Sequence, residues 1–303
     1  MCQGFSFPAG EGLPLASKES LSARPVRCRV QNLNKLNLMT KSSSLNKVLK
    51  SLPPLPRGPL PLPVAHLSTV RWFDSIASGG HLVPTKCDVF KRKLLYLSYG
   101  GVHYRTANKQ SENATELPLA FLFDPVVLSS IECYYPFDTG AMAKWNMGKW
   151  TRRLRPTFKS VFRVSGGGHE VPAKLVRYVY GDNETYLRGE VDGKCGGMPP
   201  PFPLLCQFLS DNLSSLGIDH RQRMIEGQTS KKLSLSKGLI WVAYPLCKTR
   251  DYEPLLWEIY ERTAPSIPHF YSYDYPKNFN PMGIAERLQE RAADFVQRFL
   301  RLR

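Results

Sequence analysis

Four stretches of the chain carry residue types that do chemistry. Val64-Ala-His-Leu-Ser-Thr69 sets His66 and Thr69 at the end of an apolar run, and Tyr96-Leu-Ser-Tyr-Gly100 brings two tyrosines, Tyr96 and Tyr99, shortly before Arg105. Arg221-Gln-Arg-Met-Ile-Glu226 ends a basic and apolar phrase on a carboxylate. Between them, residues 144–163 interleave cations with rings: Lys144, Trp145, Lys149, Trp150, Arg152, Arg153 and Arg155, then Phe158, Lys159 and Arg163. Cations neutralise phosphates and rings give bases a face to stack on, so this composition suits a groove for single-stranded nucleic acid. The competing reading is a solvated helix face with Trp145 and Trp150 anchored in the core.

Other motifs point to nothing specific. Asp138-Thr-Gly140 occurs once, whereas aspartic proteases need two such motifs so that two carboxylates share a proton. Ser165-Gly-Gly-Gly-His169 lacks the Lys-Ser/Thr that completes a phosphate-binding P-loop. No metal site is expected. The seven cysteines, at 2, 28, 87, 133, 195, 206 and 247, form no Cys-x-x-Cys and are expected to be reduced thiols of a cytoplasmic protein. In such a chain the sequons at Asn113, Asn183 and Asn212 carry no weight.

Elements must position these groups. Val64–Ser68 is expected as a strand, Val70–Ala77 as two helical turns with Trp72, Phe73 and Ile76 on one face, and Leu94–Tyr99 as a second strand. His66 at a strand end then faces an aromatic strand. Leu117–Asp124 is a continuous apolar run suited to a buried strand, Pro125–Ile131 a short helical turn, and Ile131–Met142 an aromatic strand ending at the Asp-Thr-Gly turn. Lys174–Gly181 is a strand or short helix, and Leu204–Leu216 a helix capped by Gly217. Met224–Glu226 and Leu239–Tyr244 are expected to pair as strands. Glu253–Arg262 and Pro281–Leu300 read as helices on either side of an aromatic extended strand or loop, Ile267–Pro276, the second helix with an apolar stripe of Ile284, Leu288, Ala292, Phe295 and Phe299.

Taken in order, the first three stretches resemble the DarT-like branch of the ADP-ribosyltransferases. His66-Leu-Ser-Thr69, Ile76-Ala-Ser-Gly-Gly-His-Leu82 and Tyr96-Leu-Ser-Tyr-Gly100 stand where that family has a His-x-Thr strand, a short helix with its turn, and a Tyr-Gly strand end. Arg221–Glu226, Leu233–Leu235 and Leu239–Ala243 stand where it has its catalytic glutamate and following strand. The likeness covers residues 64–245 in pieces. It departs from the family at Gly227-Gln228, where an apolar residue usually follows the glutamate, and at Tyr134–Gly140, which has no counterpart. The resemblance implies NAD as co-substrate and a nucleic acid as the acceptor, with a protein acceptor left open. It also implies a toxin or defence role in which a neutralising partner is an open question. It makes Glu226 the catalytic carboxylate that stabilises an oxocarbenium-like transition state, and His66, Thr69, Tyr96, Tyr99 and Arg105 the residues that hold NAD, with one of Tyr96 or Tyr99 stacking on the nicotinamide. His66, Tyr99 and Glu226 are expected to meet in one cleft, with Arg105 at its rim and residues 144–163 at its mouth.

The chain as a whole fits such a role. Its 303 residues can bury a sizeable core, and a net charge of +16 attracts polyanions. No apolar run reaches the eighteen or so residues a membrane helix needs. Residues 1–63 carry nine Lys/Arg against two Glu and end in Leu52–Pro63, whose six prolines favour an extended path. Met39 offers a second place for translation to begin. The expected architecture is a disordered, basic, proline-rich arm over 1–63, then an α+β catalytic domain over 64–303. That domain is expected to hold a mixed, twisted, split β-sheet of six or more strands with flanking helices, like the ADP-ribosyltransferases. The alternative from another class is a non-enzymatic nucleic-acid-binding protein using the basic and aromatic surface 144–163.

Overall fold

Residues 44–55, 59–103, 110–144, 149–192, 197–211, 220–246, 251–264, 266 and 268–302 are described in the computed structural model of the chain. They fall within one compact unit, Asn34–Arg303. The strands are β1 (Val64–Thr69), β2 (His81–Leu82), β3 (Thr85–Cys87), β4 (Arg92–Tyr99), β5 (Pro118–Phe123) and β6 (Cys133–Tyr135). They continue with β7 (Val164–Ser165), β8 (Glu226–Thr229), β9 (Leu233–Ser234), β10 (Leu239–Pro245) and β11 (His269–Tyr273). The helices are α1 (Leu45–Ser51), α2 (Phe73–Gly79), α3 (Thr139–Lys144), α4 (Lys149–Leu154) and α5 (Phe158–Val161). They end with α6 (Glu170–Leu175), α7 (Asn183–Leu187), α8 (Phe202–Ser210), α9 (Glu253–Thr263) and α10 (Pro281–Arg301).

The main sheet runs β11-β10-β5-β1-β4-β8-β6-β7, with β3 added to β4. Only β10 and β11 are parallel; the other described pairs are antiparallel, so the fold is a mixed-sheet α+β with flanking helices. All six residues of β5 are buried, as a continuous apolar run between two partners with both faces covered requires. Helix α10 lies against β5 through the buried stripe Ile284, Leu288, Ala292 and Val296, at helical spacing.

Three expectations are corrected. Strands β8 and β10 do not pair: β8 lies between β4 and β6, and β10 between β5 and β11. The intervening β9 pairs with β2, which carries the chain away from any hairpin. Trp72 does not share the buried face of Phe73 and Ile76 but is 53% exposed, because a 3₁₀ turn over Val70–Trp72 precedes α2 and rotates it outward. The cysteines are not all reduced, since Cys206 is disulfide-bonded while Cys87 and Cys133 are free. The cytoplasmic expectation, read from reduced thiols, therefore loses that support. Lys174–Gly181, left open between strand and helix, is helical: α6 runs into a π-turn over Val176–Tyr180. No helix among the described residues is long and apolar enough to cross a membrane.

The expected arm is structured over its last part. In α1, Ser44 caps the N-terminus and Leu45, Val48 and Leu49 are buried at i, i+3, i+4 spacing. Asn46 Oδ1 accepts from the Ser165 amide of β7 at 3.2 Å, and the proline-rich segment feeds Pro63 O to the amide of Gly100 at 2.8 Å. Apolar spacing in 45–49 was masked by the surrounding basic and polar sequence. Lys174 docks the helix: its buried ammonium donates to Leu49 O at 3.0 Å and Leu52 O at 3.2 Å and pairs with Glu170 at 3.0 Å. Lys174→Met keeps the stem's packing but strands two carbonyls, and is expected to destabilise by about 2 kcal/mol. Hydrogen exchange at the amides of 48–52 should accelerate with it; exchange unchanged from wild type would show that Lys174 does not hold α1.

Candidate active site

The site begins where the sheet splits. Strands β1 and β4 pair only at Val64↔Tyr99 and Ala65↔Ser98, after which they diverge. His66 spans the opening: its Nδ1 lies 2.9 Å from Tyr96 O. A carbonyl can only accept, so Nδ1 is the protonated nitrogen and Nε2 is left as an acceptor. Burial lowers the pKa of the ring and so favours the neutral imidazole, while that same bond opposes the shift.

Glu226 opens β8, opposite Ser98 of β4 on one side and Tyr135 of β6 on the other. It is 2% exposed. Its Oε2 accepts from Thr139 N at 3.0 Å, and Oε1 accepts from Thr139 Oγ1 and Gln228 Nε2, each at 2.7 Å. Burial pushes its pKa up to about 8, the nearby Asp138 carboxylate adds to the rise, and the Thr139 and Gln228 hydrogen bonds oppose it. Gly227 lets Ile131 pack close, since a Cβ there would lie 2.8 Å from Cδ1 of Ile131 and make that side chain shift. Gln228, two residues on, shares the face of Glu226 by the strand period. The Glu-Gly-Gln phrase is thus how this chain packs and holds its carboxylate.

A cavity of about 500 Å³ is lined by His66, Tyr96 and Glu226 together with Cys87, Asp138 and Lys144. A second, of about 520 Å³, opens along the diverging strands and is lined by Thr69, Trp72 and His81; it shares His66, Leu67, Thr85 and Tyr96 with the first. Volumes of this size suit small-molecule ligands. The Tyr96 hydroxyl lies 2.6 Å from Cys87 Sγ, and burial raises the phenol's pKa far above its usual value, leaving it a neutral group.

The expected trio is therefore brought together with one exchange of tyrosine. His66, Thr69, Tyr96 and Glu226 all line this pair of cavities, but Tyr99 does not. Tyr99 is 1% exposed, and its hydroxyl accepts from the Leu62 amide at 3.0 Å. Tyrosines three apart on a strand point to opposite faces, so only one can reach the cleft. Arg105 and Trp145 lie outside the described residues. Sequence reasoning missed Asp138, Thr139, Gln228 and Cys87.

Of the basic segment, Lys144 lines the first cavity and pairs with Asp88 at 4.0 Å, both exposed. Trp150 is corrected from stacking surface to core anchor. It is 1% exposed, and its Nε1 donates to Asp211 Oδ2 at 2.6 Å, which also takes Lys149 Nζ at 2.8 Å. An indole needs a partner for its one donor when buried, and Asp211 supplies it. Arg153 lies over the Trp150 ring, and Arg155 Nε donates to Met142 O at 3.1 Å. Arg152 is exposed.

No family model and no curated protein matches the chain. Among solved structures it is similar to Thermus sp. 2.9 DarT in complex with NAD+, at 7% identity and a TM-score of 0.37, over 72% of this chain and 98% of that one.

Proposed function

We propose that the chain cleaves the nicotinamide–ribose bond of NAD and transfers ADP-ribose to a nucleic-acid acceptor. The observation that supports this most is the meeting of His66, Tyr96 and Glu226 on one cavity at the split of the sheet, although Glu226 lies far from the other two in the chain. As the C1′–N bond breaks, nicotinamide leaves with the bonding pair and positive charge builds on the ribose. The Glu226 carboxylate, in a water-poor setting, stabilises that charge where it develops. The acceptor nitrogen of neutral His66 suits a ribose hydroxyl, and the ring of Tyr96 suits the face of the nicotinamide. The positive pyridinium of NAD would in turn draw the Glu226 pKa down and favour the ionised form on binding.

The net charge of +16 supports a polyanionic acceptor. The non-enzymatic reading is less well supported among the described residues, because Trp150 is buried and offers no stacking face. The test is to incubate the full chain with adenylate-labelled NAD and single-stranded DNA. Release of nicotinamide with label on the DNA is expected. No nicotinamide release under any acceptor, water included, would end the transferase reading.

A further inference from the structure

The lone pairs of Glu226 are largely committed. Oε1 takes two donors and Oε2 takes the Thr139 amide, so these bonds fix the carboxylate at the cavity wall and leave about one of its four acceptor positions for anything else. A transfer reaction needs a second service: the group that attacks C1′ must lose its proton as the new bond forms. Asp138 is placed for it. It stands beside Thr139, lines the same cavity as Glu226 and is half-buried, and its Oδ1 accepts from Ala141 N at 2.8 Å, which caps α3 and fixes the carboxyl at the cavity wall.

We propose that Asp138 takes the proton of the acceptor while Glu226 supplies the fixed charge, a division of labour that rests on the transferase reading above. In the step, the C1′–N bond breaks and nicotinamide departs neutral. A lone pair of the acceptor's oxygen or nitrogen forms the bond to C1′, and the proton of that atom moves to the Asp138 carboxylate, which later returns it to water. With water as acceptor the products are nicotinamide and ADP-ribose.

Asn and Ser cap helices about as well as Asp, so Asp138→Asn and Asp138→Ser should keep the fold and remove the base; because they also remove the like charge that raises Glu226, rates are compared above about pH 8, where Glu226 is ionised in wild type and variants alike. Each variant and the wild type are given NAD, with and without sodium azide, and nicotinamide release and products are followed. Both variants are expected to lose about 100-fold or more in nicotinamide release to water. Azide attacks as an anion with no proton to surrender, so it should restore release by about 10-fold or more and yield ADP-ribosyl azide. Glu226→Gln should gain nothing from azide. Variants that hydrolyse NAD at the wild-type rate, variants left inactive in azide, or equal rescue of Glu226→Gln would each overturn the assignment. Wild type that releases no nicotinamide takes down the transferase reading itself, and this one with it.

Discussion

Exchange of Glu226 for glutamine is expected to lower nicotinamide release by about 100-fold or more, because it removes the buried charge proposed to face the developing ribose cation. NAD binding, measured by calorimetry, should weaken less than release does, since Glu226 meets the pyridinium charge already in the ground state but the ribose cation only as the bond breaks. The pH profile gives an independent reading of the same residue. Burial, aided by Asp138, raises the Glu226 carboxyl from 4.5 to about 8, so the active ionised form accumulates as pH rises through that value, and kcat/KM should climb with it. Stability runs the other way. A carboxyl whose folded pKa is raised binds its proton more tightly in the folded state; its contribution is complete below 4.5 and is lost as pH rises through about 8. Wild type should therefore lose stability, on the order of a few kcal/mol, between mildly acidic and mildly alkaline pH relative to Glu226→Gln. Denaturant midpoints of the two proteins across that range decide it, and parallel curves would show that Glu226 is ionised throughout.

How far the sequence reached follows from the range of each contact. The all-apolar β5, the strands β1 and β4 and the amphipathic α10 are local patterns, and each was legible. His66, Tyr96 and Glu226 were legible as types in order. The choice of Tyr96 over Tyr99 was not, because it depends on the register Ala65↔Ser98 and Ser98↔Glu226, which a one-residue slip would invert. The Asp138-Thr139 support was missed for a similar reason. Its target lies 87 residues away, and a single Asp-Thr-Gly invited comparison only with a two-motif protease. Gln228 was within reach, since Glu-x-Gln on a strand puts both side chains on one face. The docking of α1 was hidden by composition, because Leu45, Val48 and Leu49 sit among lysines and serines, and the buried partner that holds them, Lys174, is itself a charged residue.

Loss of the indole at Trp150 should be the most destabilising change in the basic segment. Trp150→Ala empties a site where the ring meets Phe208 edge-on at 5.5 Å and leaves Asp211 without its indole donor, so it is expected to destabilise by about 3–5 kcal/mol. Trp150→Phe keeps most of the packing and loses the N–H, and Asp211 retains Lys149 at 2.8 Å; about 1–2 kcal/mol is expected. The pair separates the two roles an aromatic in this segment could play. If Trp150 is a core anchor, the phenylalanine variant binds a single-stranded DNA column as tightly as wild type at every salt concentration, whereas loss of the exposed Arg152 weakens retention and lowers the salt slope by about one. A base-stacking tryptophan would give the opposite pattern: weakened retention by Trp150→Phe with its denaturation midpoint intact, at a cost of about 1–3 kcal/mol per base. The Asp211 hydrogen bond and the 1% exposure of the ring set the expectation on the side of the core.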